Sequence, residues 1–454
     1  MLTANLMEQN ENITQIDLSE IYNILETSDV YSKLATGENM LQILLSTINT
    51  MSEVLEYELK EVQSILHSST KFDLVITEFH IGLGHAIAQK LGVPSIGVMS
   101  MDGHYTAHDA VGNPCHPVSH PDYDLAFSIP LGFKERVIST CFSIIFRLVD
   151  AFIFTAKEEE LLYKYVGEIA PLSETVKRVS MLFINVNPIF NEVRPVGPKT
   201  INVGGIIHFS EPKPLPQDIQ NLLDNARNGV VYFSLGTNVH YRHLNNKTIS
   251  TILETFSILP FQILWKLEIE NLKEKPKNVE IMKWIPQQDV LRHKNIKLFI
   301  TQGGIQSMEE AVINHVPMIG LPFFGDQHHN VNKMVGKGFG ISLDYTKLDV
   351  VSFKNTILEV ISNPKYKENI KIVADIIQDQ PMTGLEKAVW WTEYVLRHGD
   401  TEHFRNPIVD LPLYKYLLLD VLSFLLIVIA VVIFVWYKIS KVIYLNVFSG
   451  KKNI

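Results

Sequence analysis

The sequence is poor in cysteine and has no excess of basic charge. Cys115 and Cys141 are the only cysteines in 454 residues. Two thiols this far apart supply neither a disulfide framework nor a cluster of metal ligands. The formal net charge of −9 argues against a protein that neutralises the phosphates of a nucleic acid. We therefore predict no metal site, no resident cofactor and no nucleic-acid partner.

The N-terminus lacks two features that bear on function. The first twenty residues, MLTANLMEQNENITQIDLSE, contain no basic start and no long apolar run, so they do not read as a secretory signal peptide. No histidine precedes His67.

A long apolar run is present near the C-terminus. The segment Val421–Tyr437 carries no charge and is close to the lower limit of about 17 residues for a membrane-spanning helix. A buried core helix is the alternative interpretation. By the positive-inside rule the tail is cytoplasmic, because only Lys415 lies close before the run and these lysines follow it: Lys438, Lys441, Lys451 and Lys452.

The endoplasmic reticulum is the predicted location, with a single pass, a lumenal body and a cytoplasmic tail at 438–454. Lys451 and Lys452 resemble the di-lysine retrieval signal of proteins in that membrane. Glycosylation sequons at Asn12 and Asn246 fit a lumenal body, whereas the polar N-terminus conflicts with it. Either the body enters the lumen by another route, or a preceding segment is missing from the sequence.

The first half of the chain alternates strand and helix patterns. Lys71–Glu78 and Pro94–Met99 read as buried strands, and Ile81–Leu91 between them has helical spacing. A strand-helix-strand unit predicts a parallel sheet of the α/β class. Further segments of this half are a helix over Ile138–Leu162 and strands over Ser180–Val186 and Ile201–Ile207.

A stretch with three prolines, Ser210–Asp218, separates the halves and reads as a stiff linker. It places an incomplete N-terminal domain at 1–209 and a C-terminal domain at 210–412, before a membrane-helix region at 413–437.

The second half repeats the alternation and predicts a doubly wound sheet, with ligands at the carboxyl ends of its strands. Two such domains joined by a linker leave a cleft between them. The predicted strands are Val230–Leu235, Gln262–Lys266, Val279–Trp284, Leu298–Thr301 and Met318–Leu321, and the predicted helices are Lys247–Ser257, Val290–His293 and Ile305–Asn314.

A double glycine stands between a strand and a helix in the second half. Gly303 and Gly304 let the backbone approach a ligand closely, and the N-terminus of the following helix favours an anion such as a pyrophosphate. Gly236 lies at a second strand end. Trp284 supplies a flat ring that can stack on a base. A tight turn explains any one of these features, but together they indicate a nucleotide site.

Several segments resemble the membrane-bound animal UDP-glycosyltransferases, a family that includes insect UDP-glucosyltransferases and vertebrate UDP-glucuronosyltransferases. The resemblance covers nearly the whole chain. It implies two Rossmann-like domains of the GT-B type and one C-terminal transmembrane helix. The matching segments are NVNPIFNEVRPVGPKTINVGGI, GVVYFSLGTN, WIPQQDVLRH, MIGLPFFGDQHHN, WWTEYVLRHGD and YKYLLLDV.

The resemblance implies a role for each motif residue. Trp284 and Gln287 would hold uracil, Glu310 the ribose, and Asp326 with Gln327 the sugar hydroxyls. Around the pyrophosphate it places Ser234, Thr237, Gly304 and Ser307, and the predicted nucleotide-sugar site also includes Gly236, Gln302 and Gly303. At position 302 the family usually has a histidine, so a neutral amide stands where a cationic side chain is common.

Catalysis is the larger departure from the family. The resemblance implies an inverting displacement in which a histidine, oriented by a carboxylate, takes the acceptor's proton. The segment that would carry that histidine is absent, and it is also the segment that would carry a signal peptide. Glu78 occupies the position of the orienting carboxylate. His80, His85 and His104 are alternative bases that the sequence only weakly favours.

Three hypotheses follow from the sequence. The chain is an active hexosyltransferase that moves a sugar, with glucose favoured, from UDP-sugar to a small lipophilic hydroxyl compound. Alternatively, it is an impaired form that binds UDP-sugar, or a membrane-tethered partner of a full-length relative. Association with itself or with other family members is compatible with each hypothesis. Without the missing segment, we expect little or no transferase activity.

Overall fold

A computed structural model of the chain describes residues 13–28, 30, 33, 40–66, 70–79, 82–127, 129–188, 191, 193–205, 211–237, 239, 241, 244–268, 272 and 275–449. The chain divides into two compact units, Met1–Phe404 and Arg405–Ile454. Asn12, His67, His80, Lys451 and Lys452 lie outside the described residues.

The first unit contains a four-stranded parallel sheet in its N-terminal half, with strand order β1-β2-β3-β4. β3 is buried along its whole length, as expected for a strand covered on both faces. The strands are β1 (Val75–Glu78), β2 (Ser95–Met99), β3 (Met181–Ile184) and β4 (Thr200–Asn202).

A six-stranded parallel sheet follows, with strand order β10-β9-β8-β5-β6-β7. The strands are β5 (Val230–Ser234), β6 (Gln262–Lys266), β7 (Val279–Met282), β8 (Ile296–Thr301), β9 (Met318–Gly320) and β10 (Gly340–Ser342). All five residues of β5 are buried. The order runs outward in one direction from β5 and in the other from β8, so the topological switch point, where ligands bind in doubly wound sheets, lies between these two strands.

Helices connect many of the strands, although β4 follows β3 and β7 follows β6 with no helix between them among the described residues. In the N-terminal half they are α1 (Glu20–Thr27), α2 (Met40–Leu66), α3 (Leu83–Leu91), α4 (Tyr105–Ala110), α5 (Phe133–Val149), α6 (Thr155–Tyr165) and α7 (Leu172–Thr175), with a π-helical turn at Asp150–Phe154 between α5 and α6. In the C-terminal half they are α8 (Gln217–Asn225), α9 (Asn246–Ser257), α10 (Gln287–Leu291), α11 (Ile305–Ile313), α12 (Gln327–Gly336), α13 (Val350–Ser362), α14 (Pro364–Gln378) and α15 (Gly384–His398).

Helix α15 returns from the second sheet to the first. Its Ala388 and Val395 share one apolar core with Ile96, Met181 and Phe183 of β2 and β3. Helix α15, the last helix of the C-terminal half, therefore packs against the first sheet and joins the two halves. The predicted domain bounds, 1–209 and 210–412, assign α15 to the C-terminal domain and do not include its packing on the first sheet. These bounds stay a prediction.

The second unit contains α16 (Leu413–Tyr416) and α17 (Leu419–Ser449). Within α17, the segment Leu419–Leu445 is long enough to cross a membrane, and its most apolar window of 18 residues has a mean hydropathy of 2.9 and no buried residue. This apolar helix extends the predicted run Val421–Tyr437 in both directions. A second stretch, Phe133–Tyr165, passes the same test of length and composition. It contains the helix that the sequence predicts over Ile138–Leu162.

The predicted α/β class with two parallel sheets is confirmed. Most predicted strands appear within a few residues of their expected bounds, although Lys71–Glu78 shortens to Val75–Glu78 and Ile138–Leu162 divides at the π-helical turn. The predicted helix Val290–His293 begins earlier, at Gln287.

Candidate functional site

The carboxyl ends of β5 and β8 meet at the switch point. Ser234 pairs with Thr301 in the register of the two strands, so the residues that follow each strand lie side by side. Gly236 has a φ of +75°, and a Cβ built there would lie 2.2 Å from Nε2 of Gln302. The glycine thus makes room for the Gln302 amide, and the two motifs form one surface.

A cavity of about 710 Å³ opens at this surface, within the range of small-molecule sites. Both halves of the first unit contribute to it, with Ser100 and Met101 coming from the loop after β2. The predicted site residues on its wall are Ser234, Gly236, Thr237, Trp284, Gln287, Gln302, Gly304, Ser307, Glu310, Asp326 and Gln327.

Among the residues predicted to bind the nucleotide sugar, Gly303 does not line this cavity. It has a φ of +92°, and a Cβ there would lie 2.5 Å from Val331 of α12. Its carbonyl accepts a hydrogen bond from Asn330 at 3.0 Å. The structure therefore gives Gly303 a packing role, in which the chain turns tightly between β8 and α11 while α12 lies close behind it.

Helix α11 begins at the cavity, and its own N-cap residue provides no side-chain cap. Gly304 is its N-cap residue and has no side chain to bond the first turn. The Asp326 carboxylate accepts a hydrogen bond from the backbone N–H of Ile305. The uncapped N–H groups and the positive end of the helix dipole suit a pyrophosphate.

Gln287 is held in a network of hydrogen bonds with residues of β5 and α11. Its Oε1 accepts from Tyr232 at 3.0 Å, and its Nε2 donates to Ser307 at 3.0 Å and to Glu310 at 2.5 Å. Three predicted contacts of the nucleotide are therefore bonded to one another in this arrangement. A ribose hydroxyl that reaches Glu310 would replace the amide of Gln287 as its donor.

Asp326 and Gln327 stand at the start of α12. Burial raises the pKa of Asp326, and hydrogen bonds from Asn330 and Ile305 act in the opposite direction. Oε1 of Gln327 accepts from the backbone N–H groups of Phe323 and Phe324 at 2.9 and 3.3 Å. This leaves the Nε2 amide of Gln327 as its donor toward a ligand, whereas Asp326 is an acceptor.

Lys266, which ends β6, is a cavity residue that the sequence analysis missed. Its ammonium group donates to the carbonyl of Gly236 at 2.9 Å and lies 5.6 Å from the centre of the Trp284 ring. Burial lowers its pKa. Lys266 adds a cationic side chain to the cavity wall that also carries the neutral amide of Gln302. Its position at the carboxyl end of a predicted strand was the available signal.

Glu78 lies at the end of β1. Its Oε1 is buried and has no hydrogen-bond partner among the residues that the structure describes. Burial raises its pKa, while a hydrogen bond from the backbone of Ser100 acts against that shift. Glu78 therefore contacts the loop that lines the cavity, but it is not itself on the cavity wall.

Two of the three histidines that the sequence analysis considered are described. His85 bonds through Nδ1 to Ser95 at 2.9 Å, and burial lowers its pKa to about 4, which fits a neutral core histidine. His104 lies 3.0 Å from Asp122 through Nδ1 and 2.5 Å from the Tyr123 hydroxyl through Nε2. Although His104, Asp122 and Asp124 bring ligand atoms within 4.8 Å of one another, both ring nitrogens of His104 already hold hydrogen bonds.

A second, mostly apolar cavity of about 520 Å³ adjoins the first. Ser100 and Gln306 line both cavities, so the two spaces meet at these residues. The apolar wall comes from the first sheet and from α15, through Ile76, Val98, Phe183, Ala388 and Val389.

Comparison with known proteins places the chain in a family. The family model described as UDP-glucoronosyl and UDP-glucosyl transferase matches residues 5–454. UDP-glucosyltransferase 2 of Dactylopius coccus is 33% identical, over 97% of this chain and 86% of that protein. UDP-glucuronosyltransferase 1A5 of Rattus norvegicus is 30% identical, over 92% of this chain and 79% of that protein.

Solved structures share the fold at low sequence identity. Spinosyn forosaminyltransferase SpnP has a TM-score of 0.55 at 14% identity, with 77% of this chain and 83% of that one covered. UDP-glucose:anthocyanidin 3-O-glucosyltransferase in complex with UDP has a TM-score of 0.50 at 17% identity, with 79% and 82% covered. The chain has the GT-B fold and belongs to the family of UDP-glucuronosyl and UDP-glucosyl transferases.

Proposed function

We propose that the chain transfers glucose from UDP-glucose to a hydroxyl group of a small lipophilic molecule, with inversion at the anomeric carbon. The observation that carries the proposal is the cavity at the switch point, where the motif residues of both strand ends converge. The glucosyltransferase of Dactylopius coccus supports glucose, and UDP-glucuronate is the competing donor because other relatives are glucuronosyltransferases.

Each part of the donor has a complementary surface in this proposal. Uracil stacks on Trp284, which is 48% exposed and therefore open to a planar ligand. The ribose hydroxyls donate to Glu310. The pyrophosphate lies between Gly236 and the N-terminus of α11, where the Lys266 ammonium and the helix dipole stabilise its charge. The hexose then extends toward Asp326 and Gln327.

The acceptor enters from the apolar cavity. Its walls are apolar side chains of the first sheet and α15, so a lipophilic molecule gains free energy by leaving water there. At Ser100 and Gln306 this cavity meets the donor cavity. The acceptor oxygen attacks the anomeric carbon from that side, and UDP leaves toward α11.

Glu78 is the orienting carboxylate that we assign to this junction. Its carboxylate contacts Ser100, which lines both cavities. In the mechanism implied by the family resemblance, Glu78 orients a histidine that takes the acceptor's proton. Among the residues that the structure describes, Oε1 of Glu78 has no such partner. This observation favours the second candidate function, a form that binds UDP-sugar with impaired turnover.

Turnover separates the two candidates. Microsomes containing the chain are incubated with UDP-glucose or UDP-glucuronate and a panel of phenols and alcohols, with the chain alone and with the corresponding N-terminal segment of a family member placed before it. Glucoside formation by both proteins supports the first function. UDP binding without product from the chain alone, and product from the extended protein, establishes the second. Failure of both proteins to bind UDP contradicts both.

We also propose that α17 spans the endoplasmic reticulum membrane once, with the tail cytoplasmic. Its apolar length supports a crossing, and the lysines after it support the orientation. Asn246 is exposed at the start of α9, so a lumenal body would be glycosylated there. With a signal sequence supplied, a tag after Ile454 should be digested by protease outside sealed microsomes. Protection of that tag would reverse the orientation.

Replacing Lys451 and Lys452 by serine should release the protein from the endoplasmic reticulum.

A further inference from the structure

A chain of three side chains lies behind the predicted hexose position. Asp122 accepts a hydrogen bond from Nδ1 of His104 at 3.0 Å, and Nε2 of His104 lies 2.5 Å from the Tyr123 hydroxyl. Because the Asp122 carboxylate can only accept, the proton of the neutral imidazole is on Nδ1. Nε2 is then an acceptor, so the Tyr123 hydroxyl donates to it. The remaining lone pairs of the Tyr123 oxygen are left for another donor.

Tyr123 reaches the second sheet's half of the molecule. The turn that carries it is tied to α12 by a hydrogen bond of 3.3 Å from Asn332 to the carbonyl of Ala126. Tyr123 and Asp326 line one small cavity together with Met101 and Ile305. Asp326, Met101 and Ile305 also line the donor cavity. Tyr123 therefore stands next to the end of the donor cavity at which the hexose is proposed to lie.

We propose that the Tyr123 hydroxyl accepts a hydrogen bond from a hexose hydroxyl beside Asp326, and that the His104–Asp122 pair holds it in this orientation. The inference rests on the proposed function, because it requires a UDP-hexose in the donor cavity. Tyr123 and Asp326 then present two acceptors to the sugar, and Gln327 presents a donor. This set favours a UDP-sugar over UDP alone.

The arrangement makes hexose binding sensitive to pH. Burial lowers the pKa of His104, but the bond to Asp122 and the charges of Asp122, Asp124 and Asp102 outweigh it, so the pKa is raised above 6.5. Tyr123 and, from the π-helical turn, Asp150 also face this ring. When His104 gains a proton, Nε2 becomes a donor toward Tyr123. The Tyr123 proton must then turn outward, so a donor replaces the acceptor that the neutral His104 presents through Tyr123, and the hexose hydroxyl that donates to it must reorient.

Calorimetry of the detergent-solubilised full chain with UDP and with UDP-glucose tests this assignment. At pH 8, Tyr123→Phe should weaken UDP-glucose binding by about 3- to 10-fold, as expected for one neutral hydrogen bond, and leave UDP binding unchanged. At pH 6 the wild-type protein should lose preference for UDP-glucose over UDP by a similar factor. In Tyr123→Phe and in His104→Gln that preference should not change with pH.

Matched controls are Tyr163→Phe, at a tyrosine that is 72% exposed, and His116→Gln, at an exposed histidine of the same segment. Both should behave as wild type. Equal weakening of UDP and UDP-glucose by Tyr123→Phe would show a structural role and overturn the inference, as would unchanged binding of both ligands. A wild-type chain that binds neither ligand would overturn the proposed function itself. Thermal midpoints of all variants distinguish misfolding from lost contacts.

Discussion

The amide of Gln302 lies directly over Gly236, at a separation that leaves no space for a Cβ. The two residues follow neighbouring strands, β5 and β8, and their contact joins the two motifs at the switch point. A family histidine at position 302 would occupy the same place. The geometry of the proposed pyrophosphate site therefore depends on a glycine from one strand end and a polar side chain from the other.

Replacing Gly236 by alanine should disrupt this contact. The new Cβ would push the Gln302 amide aside, and the residue would keep a positive φ that costs about 1 kcal/mol or more for a residue with a side chain. We expect UDP binding to fall by at least about tenfold, measured by calorimetry. Gly92→Ala is the control, because Gly92 has a φ of +69° and nothing within 4 Å of its Cβ position. Equal UDP affinity in the two variants would contradict the assignment of Gly236.

Glu310→Ala should weaken UDP binding by about 1–3 kcal/mol, because the ribose hydroxyls would lose their acceptor. The Gln287 amide would also lose its partner at 2.5 Å. Glu359→Ala, on the surface of α13, is a control that should bind as wild type. Calorimetry showing the same UDP affinity in Glu310→Ala and in the wild-type protein would remove Glu310 from the nucleotide site.

Gln302→His should tighten UDP binding, because an imidazole that carries charge bonds a pyrophosphate more strongly than an amide does. The gain should grow as the pH falls from 8 to 6, since the imidazole gains its proton over that range. The measurement is UDP affinity against pH in both proteins. No gain at either pH would mean that Lys266 and the helix N-terminus already supply the charge that the site can use.

Glu158 should make the folded state less stable as the pH rises. Burial raises its pKa from 4.5 to about 7, against a hydrogen bond from the backbone of Gly82. The stabilisation of the protonated form is complete below about pH 4.5 and is lost as the pH rises through about 7. Glu158→Gln keeps an acceptor for Gly82 and does not ionise. Its free energy of unfolding should exceed that of the wild type by about 2–3 kcal/mol at pH 8, with no difference near pH 4.5. A constant difference at both pH values would contradict this explanation.

The sequence predicted the parts of the fold that have strong local patterns. β6 and β8 are largely buried apolar runs that end at polar or glycine residues, so the sequence alone predicts where their carboxyl ends lie. The order of the strands in the sheet could not be predicted from the sequence. The pairing of β5 with β8 joins segments about 65 residues apart and therefore leaves no local pattern. The short strand Gly340–Ser342 and the helix Met40–Leu66 were not predicted. The strand Gly340–Ser342 has three residues, which are too few to show the alternation of apolar and polar residues that predicts a strand.

In the candidate site, too, residues with a local sequence signal were predicted, and contacts that form only when the chain folds were not. The residues of the nucleotide-sugar site were predicted from the sequence, and all of them but Gly303 line one cavity, whereas Glu78 does not. The bonds that occupy Gln287 were not foreseen, because Tyr232 comes from the interior of β5 and approaches only when the sheet is assembled. Tyr123 was missed for a related reason. It belongs to the N-terminal half, and only the packing of its turn on α12 brings it beside Asp326.

Photolabelling with 5-azido-UDP-glucose tests the central claim, that UDP-sugar binds at the junction of β5 and β8 with its base on Trp284. The probe carries its reactive azide on the uracil ring, and mass spectrometry of the full chain in membranes identifies the labelled residues. We predict labelling within residues 284–289, its loss in excess UDP, and a large decrease in Gly236→Ala but not in Gly92→Ala. Labelling that excess UDP does not suppress, or that falls on residues remote from this cavity, would contradict the account.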